Sequence, residues 1–299
     1  MQTQLAPEFQ NTLLGQEAEA ILRQCVHCGF CTATCPTYQL MGDELDGPRG
    51  RIYLMKQVFE GAEPTRKTQL HLDRCLTCRN CESTCPSGVQ YGHLVDLGRK
   101  VVDAKVQRPL KERAVRWLLK EGLTSSLFAP AMRMGQSVKG LLPAKLKAKV
   151  PSLQSAGAWP SQSHARKVLM LAGCVQPAMM PNINSATARV LDAAGIQTIV
   201  EGQAGCCGAV KFHLNDQDGG KAQMRANIDA WWPMVEQVEA IVMNASGCGV
   251  TVKEYGHILQ DDPQYAAKAA RIDIIVELVI SGVSATKTIT SSYCPARAS

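Results

Sequence analysis

Eight cysteines fall in two runs of identical spacing, CVHCGFCTATCP over Cys25–Pro36 and CLTCRNCESTCP over Cys75–Pro86. A C-x2-C-x2-C loop lets three successive thiolates point at one small object, as three corners of the tetrahedron that a [4Fe–4S] cube needs. The fourth cysteine of each run lies too far along to join them, and in a chain with two runs it ligates the other cube. The spacing therefore assigns Cys25, Cys28, Cys31 and Cys85 to one cluster, and Cys75, Cys78, Cys81 and Cys35 to the second. Pro36 and Pro86 turn the chain away and have no amide hydrogen to offer a sulfur. Structural zinc also takes four thiolates, but from paired C-x2-C knuckles rather than triplets with a distant fourth. Arg49, Arg51, Arg74 and Arg79 lie near the runs. Positive charge or donor hydrogen bonds there would raise a cluster's potential; an ordinary solvated face is the alternative. His27 stands inside the first run, where the sulfur set is already complete, and reads as a surface side chain. His71, His93 and His213 have no matching partner pattern and take no role.

A second, looser set comprises Cys174, then Cys206-Cys207-Gly208, then Cys248. Adjacent cysteines diverge and chelate one ordinary tetrahedral metal poorly, whereas an irregular cluster or a redox dithiol could use both. Gly205 and Gly208 would let the backbone approach whatever is held there. Buried cysteines acting as small hydrophobes are the alternative, so residues alone leave a further metal or redox-thiol site open.

The elements that must position these groups are legible in outline. Residues 12–24 place Leu14, Ala18, Ile21 and Leu22 on one helical face leading into the first run. Between the runs, a helix is expected after Gly47-Pro48, turning Ile52, Met55, Val58 and Phe59 inward and stopping at Gly61. A basic helix, PLKERAVRWLLKEG, follows the second run. Residues 141–165 mix Pro, Ser, Gly and Lys without periodicity and read as a linker. From Lys167, three short apolar runs (KVLML, IQTIV and AIVM) alternate with helical stretches, which argues a parallel sheet with helices packed on it. Such sheets gather functional groups at the carboxyl ends of their strands. Cys174, Cys206, Cys207 and Cys248 each follow a strand and are expected to converge.

With 299 residues, 45% apolar and 19% charged, the chain has the composition of a soluble two-domain protein. No run of 18 apolar residues suggests a membrane helix, and MQTQLAPEFQ has no secretory character. Thirteen bunched cysteines, an odd number, favour metal over disulfides. Residues 99–149 hold 13 basic and 3 acidic side chains. Aromatic interleaving is sparse there and no nucleic-acid-binding signature accompanies the charge, so no nucleic acid is expected. Trp117, Leu118, Leu123, Leu127 and Phe128 could dip into anionic lipid, but packing against their own domain or a partner subunit is the expected use. No G-x-G-x-x-G opens a helix after a strand, so no flavin is expected on this chain.

The paired CxxCxxCxxxCP runs, the segment GPRGRIYLM, and the later GCVQP, AGCCGAVKFH and NASGCGV together resemble the iron–sulfur subunits of bacterial glycolate oxidase (glycolate dehydrogenase), over roughly residues 1–270. That group shares a cysteine-rich CCG domain with glycerol-3-phosphate dehydrogenase, lactate-utilisation and heterodisulfide-reductase relatives. The resemblance implies an α+β chain: a helical, ferredoxin-like domain with two [4Fe–4S] clusters (1–140), the linker, and an α/β CCG domain with a small parallel sheet (166–270). It further implies flavoprotein partner subunits that oxidise glycolate to glyoxylate, electron transfer onward to the membrane quinone pool, and no catalysis by this chain alone. A cytoplasmic location, peripheral on the inner membrane, follows. Lactate or glycerol-3-phosphate as the parent substrate, or a catalytic CCG site of heterodisulfide-reductase kind, is the alternative. Thr251 stands where that kind has a further cysteine, which argues against a non-cubane cluster. Residues 271–299, with Cys294, look like an atypical or frame-shifted tail in place of a second CCG domain, poorly ordered from about Arg271.

Overall fold

The computed structural model describes residues 1–278 apart from Leu142 and Lys149. The chain divides into two compact units, Met1–Glu112 and a second beginning at Arg113. The predicted tail beyond Leu278, Cys294 included, lies outside the described residues.

The first unit is helical. Its helices are α1 (Pro7–Gln10), α2 (Leu13–Gln24), α3 (Pro36–Met41), α4 (Pro48–Phe59), α5 (Arg66–Asp73), α6 (Asn80–Ser83) and α7 (Tyr91–Lys105). Thr12 caps α2 by accepting the Gly15 amide at 3.0 Å, and Thr65 and Thr68 form a reciprocal capping box on α5. Helix α4 starts on Pro48, whose missing N–H costs nothing at that position. It stops before Gly61, which takes a left-handed φ of 101°. Ile52, Met55, Val58 and Phe59 are buried as their spacing requires. They pack with Ala18, Ile21 and Leu22 of α2 and Leu94, Val95 and Val102 of α7.

Close approach at Gly50 seats α4 on the turn before it: a Cβ there would lie 2.2 Å from the Glu44 carbonyl oxygen. That atom is backbone and cannot swing aside. Gly50→Ala is therefore expected to destabilise the first unit by about 1–3 kcal/mol, read as a lower urea midpoint at unchanged slope.

Helix α8 (Leu110–Thr124) runs through the division. The second unit continues with α9 (Phe128–Ser137) and α10 (Ala144–Lys147), and residues 151–164 have no regular structure. Then follow β1 (Arg166–Met170), α11 (Gln176–Met179), α12 (Pro181–Ala193), β2 (Ile196–Ile199), α13 (Ala209–His213), α14 (Gln217–Trp231), β3 (Ala240–Met243), α15 (Ser246–Val252), α16 (Tyr255–Ile258), α17 (Ala266–Ile275) and β4 (Val276–Leu278). The strands form one parallel sheet in the order β2-β1-β3-β4. All of β3 is buried, and Met224, Ile228, Trp231, Tyr255 and Ile272 fill the core against the sheet. The α+β class, a helical domain followed by a small parallel sheet, is as expected.

One expectation needs correction. Order was expected to fail near Arg271, yet α17 and β4 carry regular structure through Leu278. Ile272 and Val276 are fully buried, and Ile241 pairs with Val276; burial of those side chains outweighs the polar composition that follows. The apolar residues of α8 were expected to pack against their own domain or a partner subunit. Within this chain Val115, Trp117 and Leu118 are exposed, and no residue of the helix is buried. The helix turns its charged side inward, with Lys120 Nζ 3.7 Å from Asp216 and Glu121 3.1 Å from Lys211 Nζ.

The second unit also contains a carboxyl under strain. Burial pushes Asp273 up to about 7 although its carboxylate accepts the Gly256 amide at 2.9 Å. A carboxyl raised in the folded state binds its proton more tightly there than in the unfolded chain. Stability is then highest below the ordinary carboxylate pKa and falls as pH rises from about 4 to about 7. The slope is at most about 1.4 kcal/mol per pH unit. Asp273→Asn is expected to flatten that decline in denaturant melts across the window.

Candidate cluster-binding sites

Each cysteine run forms a loop of the same path. In the first, His27 and Gly29 have φ of 60° and 88°; in the second, Thr77 and Arg79, fifty residues on, have φ of 52° and 57°. Left-handed residues two and four places after the leading cysteine turn the chain tightly enough for its thiols to face one point. Gly29 does this without strain, whereas Arg79 carries a side chain in a conformation that disfavours one. A short turn of helix follows in each case, closed by Cys35 N donating to Thr32 O at 3.2 Å and by Cys85 N donating to Glu82 O at 3.1 Å. Thr34 and Thr84, which precede those cysteines, tie the loops together. Thr34 Oγ1 donates to Asn80 O at 3.3 Å, and Thr84 Oγ1 donates to Thr34 Oγ1 at 3.4 Å.

Two cavities result. One is lined by Cys25, Cys28, Cys31 and Cys85, with Arg49 and His27 at its wall. The other is lined by Cys35, Cys75 and Cys78, with Arg51, Arg79 and Tyr91. Cys81 lines both. Arg74 lines neither and instead holds Asp46 at 2.7 Å. The donor set suits a cationic cluster. Burial, aided by the neighbouring cysteines, pushes the Cys31 thiol up to about 11 and raises Cys25 and Cys81. Bare, those three thiols would stay protonated, and gathering them as thiolates requires a positive centre beside them. Thr77 N donates to Cys75 Sγ at 3.4 Å, the type of amide-to-sulfur bond that steadies such a centre.

A buried polar network stands behind the second cavity, and sequence reasoning did not find it. Asp46, fully buried, receives His71 Nδ1 at 3.0 Å and Arg74 Nη1 at 2.7 Å. Burial opposes its charge, but those two hydrogen bonds prevail and hold its carboxyl below the usual range. Arg51, 1% exposed, donates from Nε to His71 O at 2.7 Å and from Nη1 to Thr37 Oγ1 at 3.1 Å. Thr37 Oγ1 lies 3.2 Å from Cys35 Sγ, and the Tyr91 hydroxyl donates to Cys75 Sγ at 3.6 Å. The only local signal was the run of charged residues around Gly47-Pro48. Among the four unassigned histidines, His71 thus serves Asp46, and His27 carries Nδ1 2.8 Å from Met1 Sδ.

In the second unit the structure brings Cys174, Cys206, Cys207 and Cys248 together. Cys174 follows β1, Cys206 and Cys207 follow β2, and Cys248 sits in α15 just after β3. Cys174 is within hydrogen-bonding reach of Cys206, Cys206 of Cys207, and Cys207 of Cys248. Hydrogen bonds from Cys174 and Cys207 hold Cys206 below the ordinary thiol range, helped by the Gly208 amide and the Lys211 charge. Gly208 has φ 90°, and a Cβ on it would lie 2.8 Å from Gly220 O. Asn227 and Tyr255 fasten the loop: Asn227 Nδ2 donates to Cys206 O and Tyr255 Oη to Cys207 O, both at 2.8 Å. Thr251 is buried and donates to Gly247 O at 2.9 Å within its own helix.

Comparison with known proteins places both units. A 4Fe-4S dicluster domain matches residues 21–89 and a cysteine-rich domain matches residues 168–253. The chain is 56% identical over 287 residues to the glycolate oxidase iron-sulfur subunit of Escherichia coli (strain K12), covering 93% of this chain and 70% of that one. The chain belongs to this family of iron–sulfur subunits. The probable glycolate oxidase iron-sulfur subunit of Bacillus subtilis (strain 168) is 32% identical over 296 residues, 88% of this chain and 65% of its own length. Lactate utilization protein A of Bacillus velezensis is 32% identical over 107 residues, 36% of this chain and 43% of that protein. No solved structure matches. Among the described residues, no helix is long and apolar enough to cross a membrane.

Proposed function

We propose that this chain is the electron-transfer subunit of a glycolate oxidase complex. One [4Fe–4S] cluster would be held by Cys25, Cys28, Cys31 and Cys85, and a second by Cys75, Cys78, Cys81 and Cys35. The observation that carries the reading is the crossing of the loops: each cavity is lined by cysteines of one run together with the last cysteine of the other. When bound, the clusters supply one-electron carriers. The chain's own residues hold them, exclude water with Tyr91 and Ile52, and set their surroundings with Arg49 and Arg51. Catalysis belongs to flavoprotein partners that oxidise glycolate to glyoxylate. Co-purification with those partners is expected to yield dye reduction by glycolate, and equal rates with lactate or glycerol 3-phosphate would remove the substrate assignment.

Electrons then pass toward a membrane quinone. The support is α8, which displays Val115, Trp117 and Leu118 to solvent within a segment holding 13 basic and 3 acidic side chains. The full chain is expected to co-sediment with vesicles containing anionic lipid and to come off as salt rises. Trp117→Ser should weaken that binding, and binding indifferent to salt and to Trp117 would contradict it.

The convergence of Cys174, Cys206, Cys207 and Cys248 supports a further metal or redox-thiol site. Cys207→Ser is expected to leave the two clusters of the first unit spectroscopically intact. Loss of turnover in that variant would assign chemistry to the second unit.

A further inference from the structure

The two cavities of the first unit are electrostatically unlike. Arg51 lines the cavity of Cys35, Cys75 and Cys78, is 1% exposed, and leaves Nη2 without a hydrogen bond, Asp46 Oδ1 lying 3.5 Å away. Asp46 is one carboxylate facing two guanidiniums, Arg51 and Arg74, so the group keeps a net positive charge. The guanidinium of the other cavity, Arg49, is 37% exposed and bound by Glu44 at 2.6 Å, so it is both paired and screened by water.

Hydrogen bonds to sulfur divide the same way. The His27 amide serves Cys25 as the Thr77 amide serves Cys75, and these offset each other. The Tyr91 hydroxyl donates to Cys75, and no hydroxyl does so to Cys25, Cys28, Cys31 or Cys85 among the described residues, whereas Thr37 gives its proton to Asp46 O at 2.8 Å. Three other features leave the difference standing. The Met1 ammonium, near Cys25, is engaged by the carbonyls of Leu22, Arg23 and Cys25. The Glu82 charge acts on Cys81 and opposes the difference, but Glu82 accepts the Gly92 amide, which spreads that charge. Each set also has one exposed cysteine, Cys28 or Cys78.

A reduced cluster carries one more negative charge, and a desolvated cation or an added donor favours it. We propose that Arg51, acting with Tyr91, makes the site of Cys35, Cys75, Cys78 and Cys81 the higher-potential member of the pair, the one reduced first. Arg51 is thus a positioning and tuning residue rather than a catalytic one. The inference rests on the two-cluster reading above.

The test is a redox titration of the anaerobically reconstituted full chain with dithionite, followed by electron paramagnetic resonance. Cys28→Ser and Cys78→Ser label the two signals, since each alters one exposed ligand. The signal appearing first on reduction is expected to be the one altered by Cys78→Ser. Arg51→Gln should lower that signal's reduction equilibrium constant at least tenfold, 59 mV for one electron, with Arg51→Lys between it and the parent. The other signal should stay in place. Asp46 keeps Arg74 and His71 in both variants, so the fold has its main support. A first signal altered by Cys28→Ser instead would overturn the proposal, as would a fully loaded Arg51→Gln chain with unmoved potentials. If Arg51→Gln fails to load, the order in the parent chain still decides. Absence of any cluster in the parent would instead defeat the two-cluster reading itself.

Discussion

A full chain in which Cys75 and Cys78 are both alanine is expected to bind half the iron and acid-labile sulfide of the parent. Its reconstituted complex should no longer reduce quinone. The two residues supply half of the sulfurs proposed for one cavity, and Cys35 and Cys81 alone cannot close a tetrahedral shell. Cys25, Cys28, Cys31 and Cys85 remain in place around the other cavity, so that site should still load. A dye that accepts electrons at the flavoprotein should still be reduced by glycolate, because the block lies downstream. Iron analysis alongside quinone- and dye-linked assays checks all three statements. Loss of dye reduction as well would place this chain's role before the flavin rather than after it.

Asp46→Ala is expected to be the most destabilising single change in the first unit, at about 3–5 kcal/mol. The carboxylate is fully buried and receives Arg74 and His71, with Arg51 at 3.5 Å. Removing it leaves the Arg51 guanidinium buried without a counter-charge. The pH dependence has a definite sign. The folded carboxyl is held below its ordinary range, so the stabilisation is complete above the unfolded carboxylate pKa of about 4 and is lost as pH falls through the folded value. Denaturant melts of the metal-free chain between neutral and acid pH should show the parent converging on the variant at the acid end. A variant within about 0.5 kcal/mol of the parent at neutral pH, the range of ordinary surface changes, would remove Asp46 from the account.

The cluster loops were readable because the metal dictates them. Thiolates must recur at fixed intervals to surround one small cube, and that interval survives in the sequence whatever the surrounding fold. Helix α4 was readable for a related reason, with Ile52, Met55, Val58 and Phe59 repeating at the helical period. Convergence of Cys174, Cys206, Cys207 and Cys248 followed from strand order, since parallel strands present their carboxyl ends at one edge. Asp46, His71, Thr37 and Tyr91 had no such signature. Each is a lone polar residue whose importance comes from burial, and burial is decided by packing between elements distant in sequence. Strand β4 was missed because three residues after an Ala- and Ile-rich helix have no period of their own. What covers the exposed face of α8 was not legible, because an apolar stripe says that something should cover it, not what does.

Serine at Cys35 and, separately, at Cys85 tests the central claim most directly, with the low-temperature spectra of the reduced full chain as the readout. Crossed ligation predicts that Cys85→Ser disturbs the signal also disturbed by Cys28→Ser, and that Cys35→Ser disturbs the one belonging to Cys78→Ser. If each serine instead altered the signal of its own run, every cluster would be closed within a single loop, contradicting the account.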